Sequence, residues 1–128
     1  MRAFDLQLIA PVIPFAISAG LGELGRMNRM VNPIFGGNVR LGAVLTDLPL
    51  AVDKPIDFGL QKFCEKCKKC ATSCPANAIS KADQPYRETA DPRQIPGKKV
   101  YFENNRACVD WQANKDLYCS ICRRIRTN

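Results

Sequence analysis

The pattern that most constrains this chain is Cys64-Glu65-Lys66-Cys67-Lys68-Lys69-Cys70-Ala71-Thr72-Ser73-Cys74-Pro75. It sets four cysteines at gaps of two, two and three residues, with proline directly after the last. That spacing is the ligand run of a cubane iron–sulfur cluster, in which three thiolates wrap one cluster and the fourth reaches a second. Pro75 lacks a backbone N–H and holds its own φ, so it turns the chain away after the last ligand. Zinc sites also use Cys-x2-Cys pairs. A zinc ribbon, however, needs two pairs held apart, not three thiols at intervals of two followed by a fourth and a proline. The spacing favours cluster ligation.

The 128 residues fit one ordinary domain or two small ones, and 46% hydrophobic content allows a modest core. Seven cysteines and no histidine form an odd set, which argues against a closed disulfide framework. The tight Cys-x2-Cys gaps strain that reading further. The formal charge of +7 counts each cysteine as neutral. Ligating thiolates are deprotonated, so filled clusters would remove much of the excess. Lys62, Lys66, Lys68 and Lys69 then read as partial compensation for anionic clusters, or simply as solvated surface. Nucleic acid is not an expected partner, because the basic residues are not interleaved with stacking aromatics. The apolar run from Leu8 to Leu21 is shorter than the ~20 residues that span a bilayer, and Pro11, Pro14 and Gly20 interrupt it. Asp5 and the same prolines also fit poorly with an export leader. No targeting segment is expected within the chain.

Residues 1–63 contain no cysteine. Leu8-Ile9-Ala10 and Val12-Ile13 read as a buried strand or approach segment that stops at Pro14, and Pro14–Ala19 as a helix closed by Gly20. Gly20, Gly22 and Gly25 fall within six positions. Their register is wrong for a dinucleotide fingerprint, which leaves tight backbone packing or close approach to a large cofactor. Asn32-Pro33 and Gly36-Gly37-Asn38 mark turns. Val39, Leu41, Ala43 and Leu45 alternate, which predicts a strand over 39–46. One strand and one helix do not make a stable sheet, so this half is expected to belong to something larger. Beyond Pro75, Ile79 is expected on the sulfide face, residues 80–99 as a surface loop, and Val100-Tyr101-Phe102 as a short edge strand.

Two-cluster ligand runs cross over, the last cysteine of each binding the other's cluster. Cys108, Cys119 and Cys122 then join Cys74 as one complete set. The other cluster takes Cys64, Cys67 and Cys70 and asks for a cysteine three residues beyond Cys122, followed by proline. Arg126 and Thr127 stand there instead. That cluster is either three-iron or water-ligated, or does not assemble, or the chain's end is not the natural one.

Taken in order, Ala19-Gly-Leu-Gly-Glu-Leu-Gly-Arg26, Val39-Arg-Leu-Gly-Ala-Val-Leu-Thr-Asp-Leu-Pro-Leu50, Asp53-Lys-Pro-Ile56 and the cysteine run resemble the corrinoid-dependent reductive dehalogenases. The resemblance covers about residues 10–80 well, and the later cysteines agree in spacing. It implies an α+β chain: residues 1–60 as the tail of an α/β corrinoid-binding domain, and 61–128 as a ferredoxin-like domain for two [4Fe-4S] clusters. It implies a fragment of a longer enzyme, inactive alone, whose clusters pass electrons from an external donor to a corrinoid that removes halide from an organohalide. Cluster potentials span roughly −700 to +450 mV, which suits this task. The resemblance further implies a membrane anchor subunit as partner and a location on the outer face of the cytoplasmic membrane.

Within that likeness, Gly20, Gly22 and Gly25 are candidate corrinoid contacts. Arg40 is a candidate for stabilising charge at the substrate, with an exposed strand arginine as the plain alternative. The family's proton-donating tyrosine lies upstream, so Tyr86, Tyr101 and Tyr118 do not inherit its role. Two residues depart from the pattern. Asn28 replaces a glycine, and asparagine tolerates positive φ better than most residues. Gly37-Asn38 replaces Pro-Arg, which loosens the approach to the expected strand. The queuosine-forming epoxide reductases share the corrinoid-plus-clusters plan and Ala-Gly-Leu-Gly, but Gly22–Arg26 and Asp53-Lys54-Pro55 favour the dehalogenases. A stand-alone ferredoxin-type carrier and a zinc-stabilised interaction module are the readings from other classes.

Overall fold

The computed structural model describes residues 12–87 and 99–124. Their elements run α1 (Val12–Ser18), β1 (Glu23–Leu24), β2 (Met30–Val31), α2 (Leu60–Cys67), α3 (Lys69–Thr72), α4 (Asn105–Asn114) and α5 (Ile121–Arg124). Helices and one small antiparallel sheet together agree with the α+β class.

Helix α1 begins two residues ahead of Pro14, so Val12 and Ile13 are helical and not part of a strand. The first N–H groups of a helix have no partner inside it, so a proline in the first turn costs no hydrogen bond. Gly20, at φ 70, closes the helix as expected. Its N–H donates to the Ile17 carbonyl at 3.0 Å and that of Leu21 to the Ala16 carbonyl at 3.0 Å, the two bonds of a Schellman end. The segment Leu8-Ile9-Ala10 lies outside the described residues.

Strands β1 and β2 pair Glu23 with Val31 and Leu24 with Met30. The turn between them is held by Gly25 N–H to the Arg29 carbonyl at 2.9 Å and Asn28 N–H to the Gly25 carbonyl at 3.0 Å. Asn28 adopts φ 52, so asparagine keeps the turn that glycine would make, and its Nδ2 donates to the Tyr101 carbonyl at 2.8 Å. Next, Asn32 Oδ1 accepts from the N–H groups of Ile34 and Phe35 at 2.8 and 2.9 Å. Gly36, at φ 71, returns the chain to bridge Asn32.

The strand expected over 39–46 is not formed, and the segment carries no regular structure. Alternation provides a face, but a strand also needs a neighbour to take its N–H and C=O groups. No strand pairing is made to this segment among the described residues. Val44 is 90% exposed and Leu45 83%. Gly37 does not loosen its surroundings either: a Cβ there would meet Met27 Cε at 2.3 Å.

The core is small and sits beside the cysteines. Met27, Ala71 and Ile79 form it, with Val31, Cys70, Cys74 and Cys122 packed against them. Helix α2 lies on β1, α3 on α5, and α1 on β2. Val100–Phe102 pairs through isolated bridges in place of a continuous strand, Tyr86 with Val100 and Ile79 with Glu103. The described part of the expected 80–99 loop is largely exposed. No helix among the described residues is long and apolar enough to cross a membrane.

Candidate metal centres

Cys64 and Cys67 lie three apart on α2, so they share one helix face. The start of α2 is fixed by Glu23, whose Oε2 accepts from the N–H groups of Phe58 and Leu60 at 2.8 and 3.1 Å. A carboxylate there satisfies orphan donors and complements the helix dipole. Lys68, at φ 49, ends α2 and redirects the chain into α3, which carries Cys70. Its carbonyl accepts from Ala71 and Thr72 at 2.9 and 3.0 Å. Cys74 follows α3, and its Sγ accepts from the Ala78 N–H at 3.3 Å.

Cys108 sits on α4, capped by Asn104 Oδ1, which accepts from Ala107 N–H at 3.0 Å. Gln112, one turn on, links the Cys108 thiol to the Cys119 backbone. Its Nε2 donates toward Cys108 Sγ at 3.5 Å, and its Oε1 accepts from Cys119 N–H at 2.9 Å. Cys122 lies on α5.

All seven cysteines are free and half-buried. Cys64, Cys67 and Cys70 act on one another through space. Cys108 is influenced by Cys74 and Cys119, and Cys122 by Cys108. The seven cysteines are thus neighbours in small groups that overlap at Cys122. Cys122 also faces Cys70, and a cavity of about 1070 Å³ is lined by Cys64, Cys67, Cys70 and Cys122. Burial, reinforced by neighbouring thiols, pushes the Cys70 thiol up to about 11. Burial likewise raises Cys64, Cys108 and Cys122. A coordinated metal inverts that preference and deprotonates a thiol outright.

Among the described residues, no three His, Cys, Asp or Glu side chains stand close enough to share one metal ion. A cubane asks for a wider arrangement, since each thiolate meets a different iron corner. Half-buried thiols around a cavity fit such a group, and N–H donors reach the sulfurs of Cys74 and Cys108 outside that lining. Ile79 is buried against the layer that contains Cys70, Cys74 and Cys122.

Of the other candidate residues, Gly25 lines the same cavity, and Gly20 and Gly22 do not. A Cβ on Gly20 would lie 2.5 Å from the Lys54 carbonyl oxygen, and one on Gly22 2.2 Å from that of Val31. At Gly25 it would meet Val31 Cγ2 at 3.0 Å. All three glycines are closely packed within the chain. Arg40 is exposed and is not part of the cavity lining. Arg126 lies outside the described residues. Lys62, Lys66 and Lys69 are exposed, as solvated charges are, while Lys68 pairs with Asp83.

Sequence reasoning missed Arg26. It is 1% exposed and holds three segments together through bonds to the carbonyls of Cys64, Ser80 and Ala82. Its position one residue after Gly25, in a chain stretch with little room, was the only available signal.

The chain matches no protein-family model. It is 41% identical over 110 residues to the tetrachloroethene reductive dehalogenase of Sulfurospirillum multivorans, covering 86% of this chain and 22% of that protein. Among solved structures, the catabolic reductive dehalogenase NpRdhA superposes with a TM-score of 0.76 at 34% identity, over 88% of this chain and 16% of the other. The chain is homologous to one segment of the reductive dehalogenases. A second reductive dehalogenase structure, whose title concerns a mechanism for B12-dependent dehalogenation, gives a TM-score of 0.66 at 38% identity over 77% of this chain and 13% of that one. Epoxyqueuosine reductase of Salmonella typhimurium matches a shorter stretch, 87 residues at 41% identity, covering 66% of this chain and 20% of that protein. The chain thus spans about a fifth of the curated dehalogenases it matches.

Proposed function

We propose that this chain is the electron-delivering segment of a reductive dehalogenase acting on organohalides. Residues 61–128 form its ferredoxin-like two-cluster domain, and residues 1–60 the tail of its corrinoid-binding domain. The observation that supports the reading is the gathering of half-buried Cys64, Cys67, Cys70 and Cys122 around one cavity, with the ligand sets Cys64/Cys67/Cys70 and Cys74/Cys108/Cys119/Cys122 taken from the crossed spacing of the run. One [4Fe-4S] cluster would take each set, the first lacking a fourth cysteine from the described residues. Clusters bound there would pass single electrons, and a corrinoid in the complete enzyme would supply the reductive loss of halide.

The chain's own residues orient and exclude. Glu23 and Lys68 fix the ends of α2 so that Cys64 and Cys67 face one way. Ala78 N–H and Gln112 Nε2 donate to Cys74 and Cys108, and hydrogen bonds to sulfur tune cluster potential. Met27, Ala71 and Ile79 keep water from the layer between the two sets. Gly20, Gly22 and Gly25 would let the backbone approach the corrinoid closely, and Arg40 would stabilise charge at the organohalide. An external electron donor, a membrane anchor subunit and the outer face of the cytoplasmic membrane complete the proposal on family grounds. The dehalogenase match is longer than the epoxyqueuosine reductase match, which ranks the second enzyme below the first.

Anaerobic reconstitution of the full-length polypeptide with iron and sulfide tests this. Bound iron with acid-labile sulfide, a spectral change on adding cobalamin, and halide release from a chlorinated alkene with a low-potential reductant are the expected results. Zinc without labile sulfide would overturn the cluster reading, and silence toward cobalamin would leave a bare electron carrier.

A further inference from the structure

One line of hydrogen bonds runs through three of the four cysteines that the crossed spacing assigns to a single set. Cys74 Sγ accepts from the Ala78 N–H at 3.3 Å. The Ala78 carbonyl accepts from the Asn104 N–H at 2.7 Å, and the Asn104 carbonyl from the Cys108 N–H at 3.1 Å. Half-buried Gln112 continues the line. Its Nε2 donates to the Cys108 carbonyl at 3.3 Å and to Cys108 Sγ at 3.5 Å. Its Oε1 accepts from the Cys119 N–H at 2.9 Å. Segments far apart in sequence are thus joined from Cys74 to Cys119 without a break.

The partners fix the orientation of the Gln112 amide. A backbone N–H only donates, so the oxygen must face Cys119 and the NH2 group must face Cys108. The backbone carbonyl of the same residue accepts from Lys115 and Leu117 at 3.2 and 3.3 Å. Gln112 therefore gathers three N–H groups of the loop that leads from α4 back to Cys119. Asp116, at φ 46, turns that loop. Lys115 to Tyr118 are exposed, so packing gives the return little support and hydrogen bonds hold it. Of the three N–H groups, only that of Cys119 depends on the Gln112 side chain.

We propose that Gln112 is the positioning residue of the cluster held by Cys74, Cys108, Cys119 and Cys122, its oxygen tying the Cys119 loop to the helix of Cys108 and its nitrogen raising the cluster's potential. The inference rests on the cluster reading above. Reduction of a cluster adds one electron and one negative charge to the cluster–thiolate unit; no bond breaks and no proton is required. The electron comes from a one-electron donor outside the chain. An N–H that donates to a ligating sulfur stabilises the more negative, reduced form. Both ends of the amide engage this one set, so the effect is confined to its cluster.

The test uses the full-length polypeptide, reconstituted anaerobically with iron and sulfide and titrated with dithionite under electron paramagnetic resonance. Gln112→Met keeps the length of the side chain and removes both ends of the tie. Gln112→Glu keeps an oxygen for Cys119 but removes the donor to sulfur. Gln112→Met should shift one midpoint about tenfold toward the oxidised form, about 59 mV for one electron, and leave the other unmoved. Gln112→Glu, which also adds a negative charge, should shift the same signal at least as far, and the shift should persist in a Cys64→Ala/Cys67→Ala background. Hydrogen exchange over residues 115–120, read by mass spectrometry, reports the tie. It should quicken in Gln112→Met and stay near wild type in Gln112→Glu. Unmoved potentials, or equal shifts in both signals, would overturn the tuning; exchange that is unchanged in Gln112→Met, or equally fast in both variants, would overturn the tie. If Gln112→Met protein binds no cluster, the potential and exchange of Gln112→Glu decide. Wild-type protein without labile sulfide would sink the cluster reading itself, a result distinct from unmoved potentials in cluster-bearing protein.

Discussion

Replacing Gly22 by alanine probes the closest approach to any glycine among the described residues. A Cβ there would stand 2.2 Å from the Val31 carbonyl oxygen and 2.8 Å from its carbonyl carbon. Both are backbone atoms of β2, so no side chain can swing away and the strand itself must move. Overpacking of this kind costs about 1–3 kcal/mol. Two other glycines serve as controls. Gly36 has φ +71 and nothing within 4 Å of a Cβ, so alanine there meets only the left-handed backbone, about 1–2 kcal/mol. The reduced entropy of the unfolded chain returns about 0.4–1 kcal/mol of that. Gly42 has neither obstacle, and alanine should stabilise it by about 0.4–1 kcal/mol. Urea unfolding followed by far-ultraviolet circular dichroism, without oxygen, should rank the midpoints Gly42→Ala, wild type, Gly36→Ala, Gly22→Ala from high to low. With a slope of about 1–3 kcal/mol per molar urea, the loss at Gly22 amounts to about 1 M. Since β1 carries Glu23, the cap of α2, Gly22→Ala should also release iron to a chelator faster. A Gly22→Ala midpoint at or above that of Gly36→Ala would refute the packing argument.

Asn104→Ala removes the bond from Ala107 N–H that opens α4 and should cost about 1 kcal/mol, read as a lower urea midpoint. Lys68→Val places a β-branched residue at φ 49 and should lose about 1–2 kcal/mol, whereas Lys68→Asn, suited to that conformation, should lose less; midpoints of the two variants compare them directly. Removal of iron and sulfide should expose a pH effect at Cys70, raised by burial to about 11 from 9.0. Between those values the folded thiol keeps a proton that the unfolded one has released, so stability is full below about pH 9 and falls as pH rises toward about 11. Midpoints of metal-free protein on either side of that window should differ, and Cys70→Ser should reduce the difference.

The cysteine run was legible because its meaning lies in covalent spacing, which no tertiary context alters. Turns were legible for a similar reason: Gly20, Asn28 and Gly36 take positive φ, which few residues accept. The misreadings came where sequence pattern needs a partner. Val39, Leu41, Ala43 and Leu45 alternate as a strand does, but alternation cannot reveal whether a neighbouring strand is there to pair with. Helix α1 starts two residues before Pro14, because the whole first turn, and not only its first position, tolerates proline. Arg26 was invisible for a deeper reason. Charged residues are almost never fully buried, so composition assigns every arginine to the surface, and the carbonyls that hold it are 38 to 56 residues away.

These successes and failures divide the chain by the range of the forces that shape it. Around the cysteines, devices at helix ends do the placing: Glu23, reaching across 35 to 37 residues to the start of α2, a left-handed residue at its end, Asn104 at the start of α4. Each acts on the first or last turn of a helix, and together they aim the thiols. From Val44 to Val52 the side chains have no such support. Leu48 and Leu50 are 65% and 67% exposed, and Val52 is 92% exposed. Full burial of each such side chain would contribute about 1.5–3 kcal/mol, and contiguous exposed apolar surface of this kind marks a contact face. A chain that spans about a fifth of its relatives has ample partner surface in the remainder of such a protein. The site is therefore organised by contacts within the described residues, while the stretch leading into it leaves its apolar side chains exposed.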